Sequence, residues 1–168
     1  ATVVDKATYR IDGVGMLPAG HSHIFTVPAD GGTPRQMTEG AYNYNGPATW
    51  TADSGALIFS ANRSDNWQLN PRESEIYRLE VANGTLTQLT NNVGPDTAPL
   101  VSPDGSMIAY TSYRDQGLSY QNASLMVMDL DGGNVRNLTP ELDRGVGGVQ
   151  WAADGQGLYY AYTSEGKR

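Results

Sequence analysis

Apolar and polar residues alternate in short runs along this chain, and the alternation restarts about every fifty residues. Pro47–Phe59, Ala98–Tyr110 and Gly148–Tyr159 each read as an apolar run, a turn centred on Asp, and a second apolar run. Asp followed by Gly between two apolar runs predicts a hairpin, because Gly accepts positive φ and Asp bonds its own backbone. The turn aspartates Asp53, Asp104 and Asp154 recur at intervals of 51 and 50 residues. A fixed period of this size marks a repeat architecture.

A second element lies between the hairpins. Ile24–Thr38, Ile76–Thr90 and Leu125–Thr139 align without a gap. Each is an alternating strand, a Gly turn and a short strand that ends on an apolar residue and Thr. Joined to the hairpin, it gives four strands in about 50 residues, the pattern of a β-propeller blade. The predicted fold is therefore all-β, a β-propeller fragment of about three four-stranded blades. Residues 1–46 read as a blade lacking its first strand, 47–97 and 98–146 as complete blades, and 147–168 as the first hairpin of a further blade. Back-calculation by one period places a second strand from Val3 to Arg10, for 13 strands in all. A closed propeller needs about 4 to 8 blades, so the chain reads as part of a longer protein. Tyr9, Tyr77, Tyr110 and Tyr159 fall at strand positions suited to packing between blades.

Up-and-down strands sort the connections onto two rims. One rim takes the short Gly-rich turns. The other takes Asp12–Ser22, Ser64–Ser74 and Tyr113–Ser124. Long loops carry function more often than scaffolds do, so the long-loop rim is the candidate functional face. Its substrate or interface residues are Trp67, Arg72, Glu73, Glu75, Tyr113, Arg114 and Tyr120. Glu73-Ser74-Glu75 is the sharpest charged feature there. Its paired carboxylates suit capture of a peptide amino terminus; the plainer reading is a solvated start to the Ile76 strand.

Composition narrows the classes. The 168 residues include 20 Gly and 9 Pro, which suits many turns. The net charge of −7 lacks the basic stripe of a nucleic-acid binder, so no nucleic-acid partner is expected. No apolar run of 18 residues or more predicts a membrane-spanning helix, and no membrane partner is expected. The absence of Cys excludes disulfides and leaves the compartment open. No Gly-x-Ser-x-Gly nucleophile elbow occurs, so no catalytic residue is assigned. His21-Ser22-His23 reads as the approach to a strand, and Asp129-Leu-Asp131 as a turn without the later ligands of a calcium loop. No metal and no cofactor are expected.

Ser102-Pro-Asp-Gly105 with Ile108–Ser112 resembles the repeat of two propeller groups. One is the amino-terminal domain of prolyl-oligopeptidase-family serine peptidases; the other is the TolB-like propeller of the Tol system. Asp5–Leu17, His23-Ile-Phe25, Arg35–Thr38 and Leu142–Arg144 before Val149–Trp151 look like the acylaminoacyl-peptidase and dipeptidyl-peptidase branch. The resemblance implies a carboxy-terminal α/β-hydrolase domain as partner, peptide substrates, and a propeller that covers the active site and filters peptides. The alternative is a TolB-like protein-interaction propeller with no attached enzyme. Glu73-Ser-Glu75 does not match the dipeptidyl-peptidase Glu pair, which lies in an inserted helical segment. An arc of about three blades leaves two bare apolar faces, so two copies are expected to form a homo-dimer. In that joint, Gly157–Thr163 of one chain would compete with Val3–Arg10 of the other, with the strand near Val149–Trp151 completing the neighbour's blade.

Overall fold

The computed structural model describes residue 3 and residues 6–167. Along the chain run β1 (Arg10–Ile11), β2 (Gly15–Met16), β3 (Phe25–Thr26), β4 (Arg35–Gln36), β5 (Ala48–Trp50), β6 (Ala56–Ala61) and β7 (Glu75–Glu80). There follow β8 (Leu86–Gln88), β9 (Asp96–Val101), β10 (Met107–Ser112), β11 (Ser124–Asp129), β12 (Arg136–Asn137), β13 (Gly147–Trp151) and β14 (Leu158–Ala161). Two sheets have four antiparallel strands in chain order, β5-β6-β7-β8 and β9-β10-β11-β12. The other three, β1–β2, β3–β4 and β13–β14, have two strands each. The molecule is an all-β propeller fragment.

The Asp turns are built alike. The hydroxyls of Thr51 and Ser102 donate to Asp53 and Asp104, 2.6 Å in both cases. The carboxylates accept the N–H groups of Gly55 and Ser106. The residue after Asp takes positive φ in all three copies: 57° at Ser54, 75° at Gly105 and 70° at Gly155. Successive turns stack, and a Cβ on Gly105 would lie 2.8 Å from Cβ of Ala52.

The Thr that closes each second element also has a structural reason. Oγ1 of Thr38, Thr90 and Thr139 accepts the N–H of Ile24, Ile76 and Leu125, each at 2.9 Å. The hydroxyl ties the end of strand four to the start of strand three.

The core lies between sheets. Leu57, Phe59, Tyr77 and Leu79 pack toward Met37 and Tyr44 of the preceding segment. Ile58 and Ile76, on the opposite face, pack against Ile108, Tyr110 and Met128 of the next sheet. β6 is buried at all six positions because sheets cover both its faces. Tyr77 and Tyr110 are buried in these contacts, whereas Tyr9 and Tyr159 are exposed at the ends.

The front of the chain corrects the extrapolated strand. At the described residues of Val3–Arg10, only Arg10 is in a strand, and Val4 and Asp5 lie outside the described residues. β1 pairs with β2 rather than with β3, through Arg10↔Met16 and Ile11↔Gly15. The turn at Asp12-Gly13 explains this: Gly13 has φ 78° and the Val14 N–H donates to Ile11 O. Local Asp-Gly chemistry overrides the repeat period. Fourteen strands are formed among the described residues rather than 13, and β2 occupies part of the expected Asp12–Ser22 loop.

Candidate functional site

The β6–β7 and β10–β11 connections emerge on the same rim, because the two sheets share one strand order. The β8–β9 connection joins them there: Asp96 N–H donates to Ser74 O at 2.7 Å. Arg72 Nη1 donates to Leu118 O, linking the two long loops.

Below the 64–74 loop lies a cavity of about 350 Å³ lined by Asn62, Arg63, Glu73, Glu75, Tyr77 and Asn92, among others. Strand β7 opens on Glu75, which points its carboxylate into a network rather than into water. Thr90 Oγ1 donates to Glu75 Oε2, and Asn92 N–H donates to Oε1 at 2.7 Å. Glu75 is 7% exposed, so it does not form the solvated strand start of the plainer reading. Burial pushes its pKa up to about 7, against the opposing pull of the Thr90 and Asn92 hydrogen bonds. Glu73 is half-buried and accepts from Asn70 Nδ2 and from Gly94 N–H.

Asp96, at the start of β9, is the buried acid that sequence reasoning missed. Burial raises its pKa, against the weaker opposing pull of the polar groups of Ser112, Thr90 and Asn92 around it. Asn92 is the hub: its side chain donates to Asp96 Oδ1, Ser112 Oγ and Tyr113 O. Arg63 lines the same cavity as Glu73 and Glu75. Its guanidinium lies over the rings of Tyr42 and Tyr77, 5.1 and 5.6 Å from their centroids. Its buried Nε has no hydrogen-bond partner among the described residues. No local motif announces these residues, because Asn92 and Glu75 are 17 positions apart.

The sequence-selected residues divide into three groups. Glu73 and Glu75 share the polar cavity. Trp67 lines a second cavity of about 460 Å³, where its ring meets His21 edge-on at 5.9 Å. Arg72, Arg114 and Tyr120 are exposed on the loops, and Tyr113 enters only through its carbonyl. Among the described residues, no three His, Asp or Glu side chains converge as a metal site. The cavity offers hydrogen bonding and charge; its acids are already engaged in holding loops together.

Four-stranded antiparallel sheets repeated about an apolar inter-sheet core define a propeller of the peptidase and TolB type. Residues 13–120 match the Dipeptidyl peptidase IV (DPP IV) N-terminal region, and the chain belongs to that family. Dipeptidyl-peptidase 5 of Porphyromonas gingivalis is 28% identical over 119 residues, which is 70% of this chain and 17% of that protein. The Tol-Pal system protein TolB of Francisella tularensis is 40% identical over 89 residues, which is 53% of this chain and 18% of that protein. The chain thus spans less than a fifth of either relative. Among solved structures, puromycin hydrolase superposes with a TM-score of 0.62 at 16% identity, covering 91% of this chain and 26% of that one. At that identity the likeness concerns fold alone.

Proposed function

We propose that this chain is a non-catalytic propeller portion of a serine peptidase, covering the α/β-hydrolase active site of the longer protein and filtering or helping to bind peptide substrates. The observation that carries this reading is the family match over residues 13–120. A dipeptidyl-peptidase among the relatives supports it, as does the gathering of the long loops on one rim. On that rim, Trp67, Arg72, Arg114 and Tyr120 meet the peptide. Glu73 and Glu75 act beneath them, holding the loops at their roots rather than gripping an amino terminus. Aromatic and Arg side chains suit such a contact because they bury large areas with directed hydrogen bonds.

The test uses the longer protein that carries this segment. Trp67→Ala and Arg114→Ala should change the ratio of kcat/KM for long against short peptides several-fold, with the thermal unfolding midpoint nearly unchanged. If Asn83→Ala and Ser106→Ala on the short-turn rim shift that ratio instead, the face is wrongly assigned. If no hydrolase domain accompanies the segment, the interaction propeller of TolB type replaces the peptidase reading.

A further inference from the structure

Residues 91–95, between β8 and β9, run as a strap between the two long loops of the rim. On one side the strap meets the end of the 64–74 loop. Gly94 N–H donates to Glu73 Oε2 at 3.3 Å, and Asn92 N–H donates to Glu75 Oε1 at 2.7 Å. Alternate carboxylates thus hold alternate amides. On the other side it meets residues 113–115. Asn92 Nδ2 donates to Tyr113 O at 3.0 Å, and Asp115 N–H donates to Val93 O at 2.7 Å. The fit there is close. Gly94 has φ 124°, and a Cβ on it would lie 2.5 Å from Tyr113 O and 2.7 Å from Asp115 N. The strap therefore ties the 64–74 loop to the 113–124 loop.

The seat of the strap is acidic. Glu75 and Asp96 are buried, and Glu73 is half-buried. Glu73, from the same loop, and Asp96, from β9, both repel a charge on Glu75. The other titratable groups near it are the phenols Tyr77 of β7 and Tyr110 of β10. Arg63, just after β6, keeps its guanidinium over the Tyr42 and Tyr77 rings. The ion pairs among the described residues join Arg78 to Glu80 and Arg144 to Asp143, so neither serves Glu75. A buried charge without a partner is costly. Donors are also short. Thr90 Oγ1 accepts the Ile76 N–H, is hydrogen-bonded to Glu75 Oε2, and borders Asp96. A hydroxyl has one hydrogen and two acceptor lone pairs. With both carboxyls ionised, Glu75 and Asp96 compete for that hydrogen. A proton on Glu75 Oε2 removes the conflict: it donates to Thr90 Oγ1, the Thr90 hydrogen turns to Asp96, and Oε1 still accepts from Asn92.

We propose that residues 91–95 form a proton-gated latch: with Glu75 protonated the strap is seated and the two long loops are held together, and with Glu75 ionised the strap lifts and the loops move independently. Burial holds Glu75 at a pKa of about 7 in the seated form, against its ordinary 4.5 once the strap has lifted and water reaches it. The seated form thus keeps a proton that the lifted form releases. The ratio of seated to lifted molecules is highest in acid, falls as pH rises toward about 7, and is level above it. From pH 6 to pH 8 the fall is about tenfold. The latch is independent of the peptidase reading, since it concerns only how the loops are tied.

Amide hydrogen exchange in the longer protein that carries this segment reads the latch without reference to activity. Rates at about pH 6, 7 and 8 are divided by the intrinsic chemical rate at each pH. Protection at the Asn92, Gly94 and Asp115 amides should fall about tenfold from pH 6 to pH 8. The Ser106 amide, held by the Asp104 carboxylate, should change less than about twofold, because that acid stays ionised throughout. The strap should exchange faster than β6 at pH 8, which marks a local opening. Glu75→Gln presents a carbonyl to Asn92 N–H and an amide N–H to Thr90 Oγ1, as the protonated acid does. It should keep the protection seen at pH 6 up to pH 8. Three results would overturn the latch: strap protection in the unaltered protein that does not change with pH, a Gln variant that loses protection as the unaltered protein does, or strap amides that exchange no faster than β6 at pH 8. The last would mean that the strap opens only when the whole molecule unfolds.

Discussion

Glu75 shows what one buried acid costs and what it organises. Its carboxyl has an ordinary pKa of 4.5 and is pushed up to about 7 by burial. Between these values the folded state binds more protons than the unfolded one, so stability falls as pH rises through this window. Asp96 moves in the same direction for the same reason. Asp53 and Asp104 move oppositely: hydrogen bonds from Thr51 and Ser102 lower them, so their contribution is lost on acidification below the usual carboxylate range. Glu75→Gln keeps an oxygen to accept from Asn92 N–H or Thr90. It should flatten the dependence and raise stability at about pH 8 by up to about 3 kcal/mol, the free-energy equivalent of the shift. Urea unfolding at about pH 5 and about pH 8 checks this; equal slopes for the two proteins would show that Glu75 does not titrate there. The Glu73–Glu75 pair was legible in the sequence. Its burial was not, because Thr90 and Asn92 arrive from 15 and 17 residues downstream.

At the scale of the element, the Asp turn was the most legible feature. It depends on contacts within five residues, such as Met107 N–H donating to Ser102 Oγ at 2.9 Å. The same chemistry at Asp12-Gly13 made the β1–β2 hairpin, which repeat arithmetic alone could not reveal. The three turns also explain one another. Ser54 holds φ 57° where the other two copies have Gly, and a side chain in that region costs about 1–2 kcal/mol. Ser54 is exposed, so Ser54→Gly should stabilise the chain by up to about 1 kcal/mol after the entropy of Gly is counted. Gly105→Ala should do the reverse by more, since strain adds to the approach on Ala52 Cβ. Thermal unfolding of the two variants should therefore shift in opposite directions.

At the scale of the whole molecule, the repeat period gave the two four-stranded sheets because strand order and turn chemistry are local. The lateral fit of one sheet on the next was less legible. Tyr9 and Tyr159 occupy strand-like positions as Tyr77 and Tyr110 do, yet only the interior pair is buried. Burial there depends on whether a neighbouring sheet exists. Contacts run between adjacent sheets, β6 with β9 and β10 with β13. Stability in such an array is a sum of unit and nearest-neighbour terms.

β6, enclosed on both faces, is the keystone of that array. Its consequence is an order of release. The chain should come apart like a zipper from its ends, with either terminus peeling away while the middle still holds. Amide hydrogen exchange should be slowest in β6, β7 and β10 and fastest in β1–β2, β3–β4 and β14, because the outer sheets open without breaking the central seam. Uniform protection across all five sheets would mean that the arc melts as a single block. In the graded case, a brief protease treatment should trim the ends and leave a resistant kernel spanning β5 to β12.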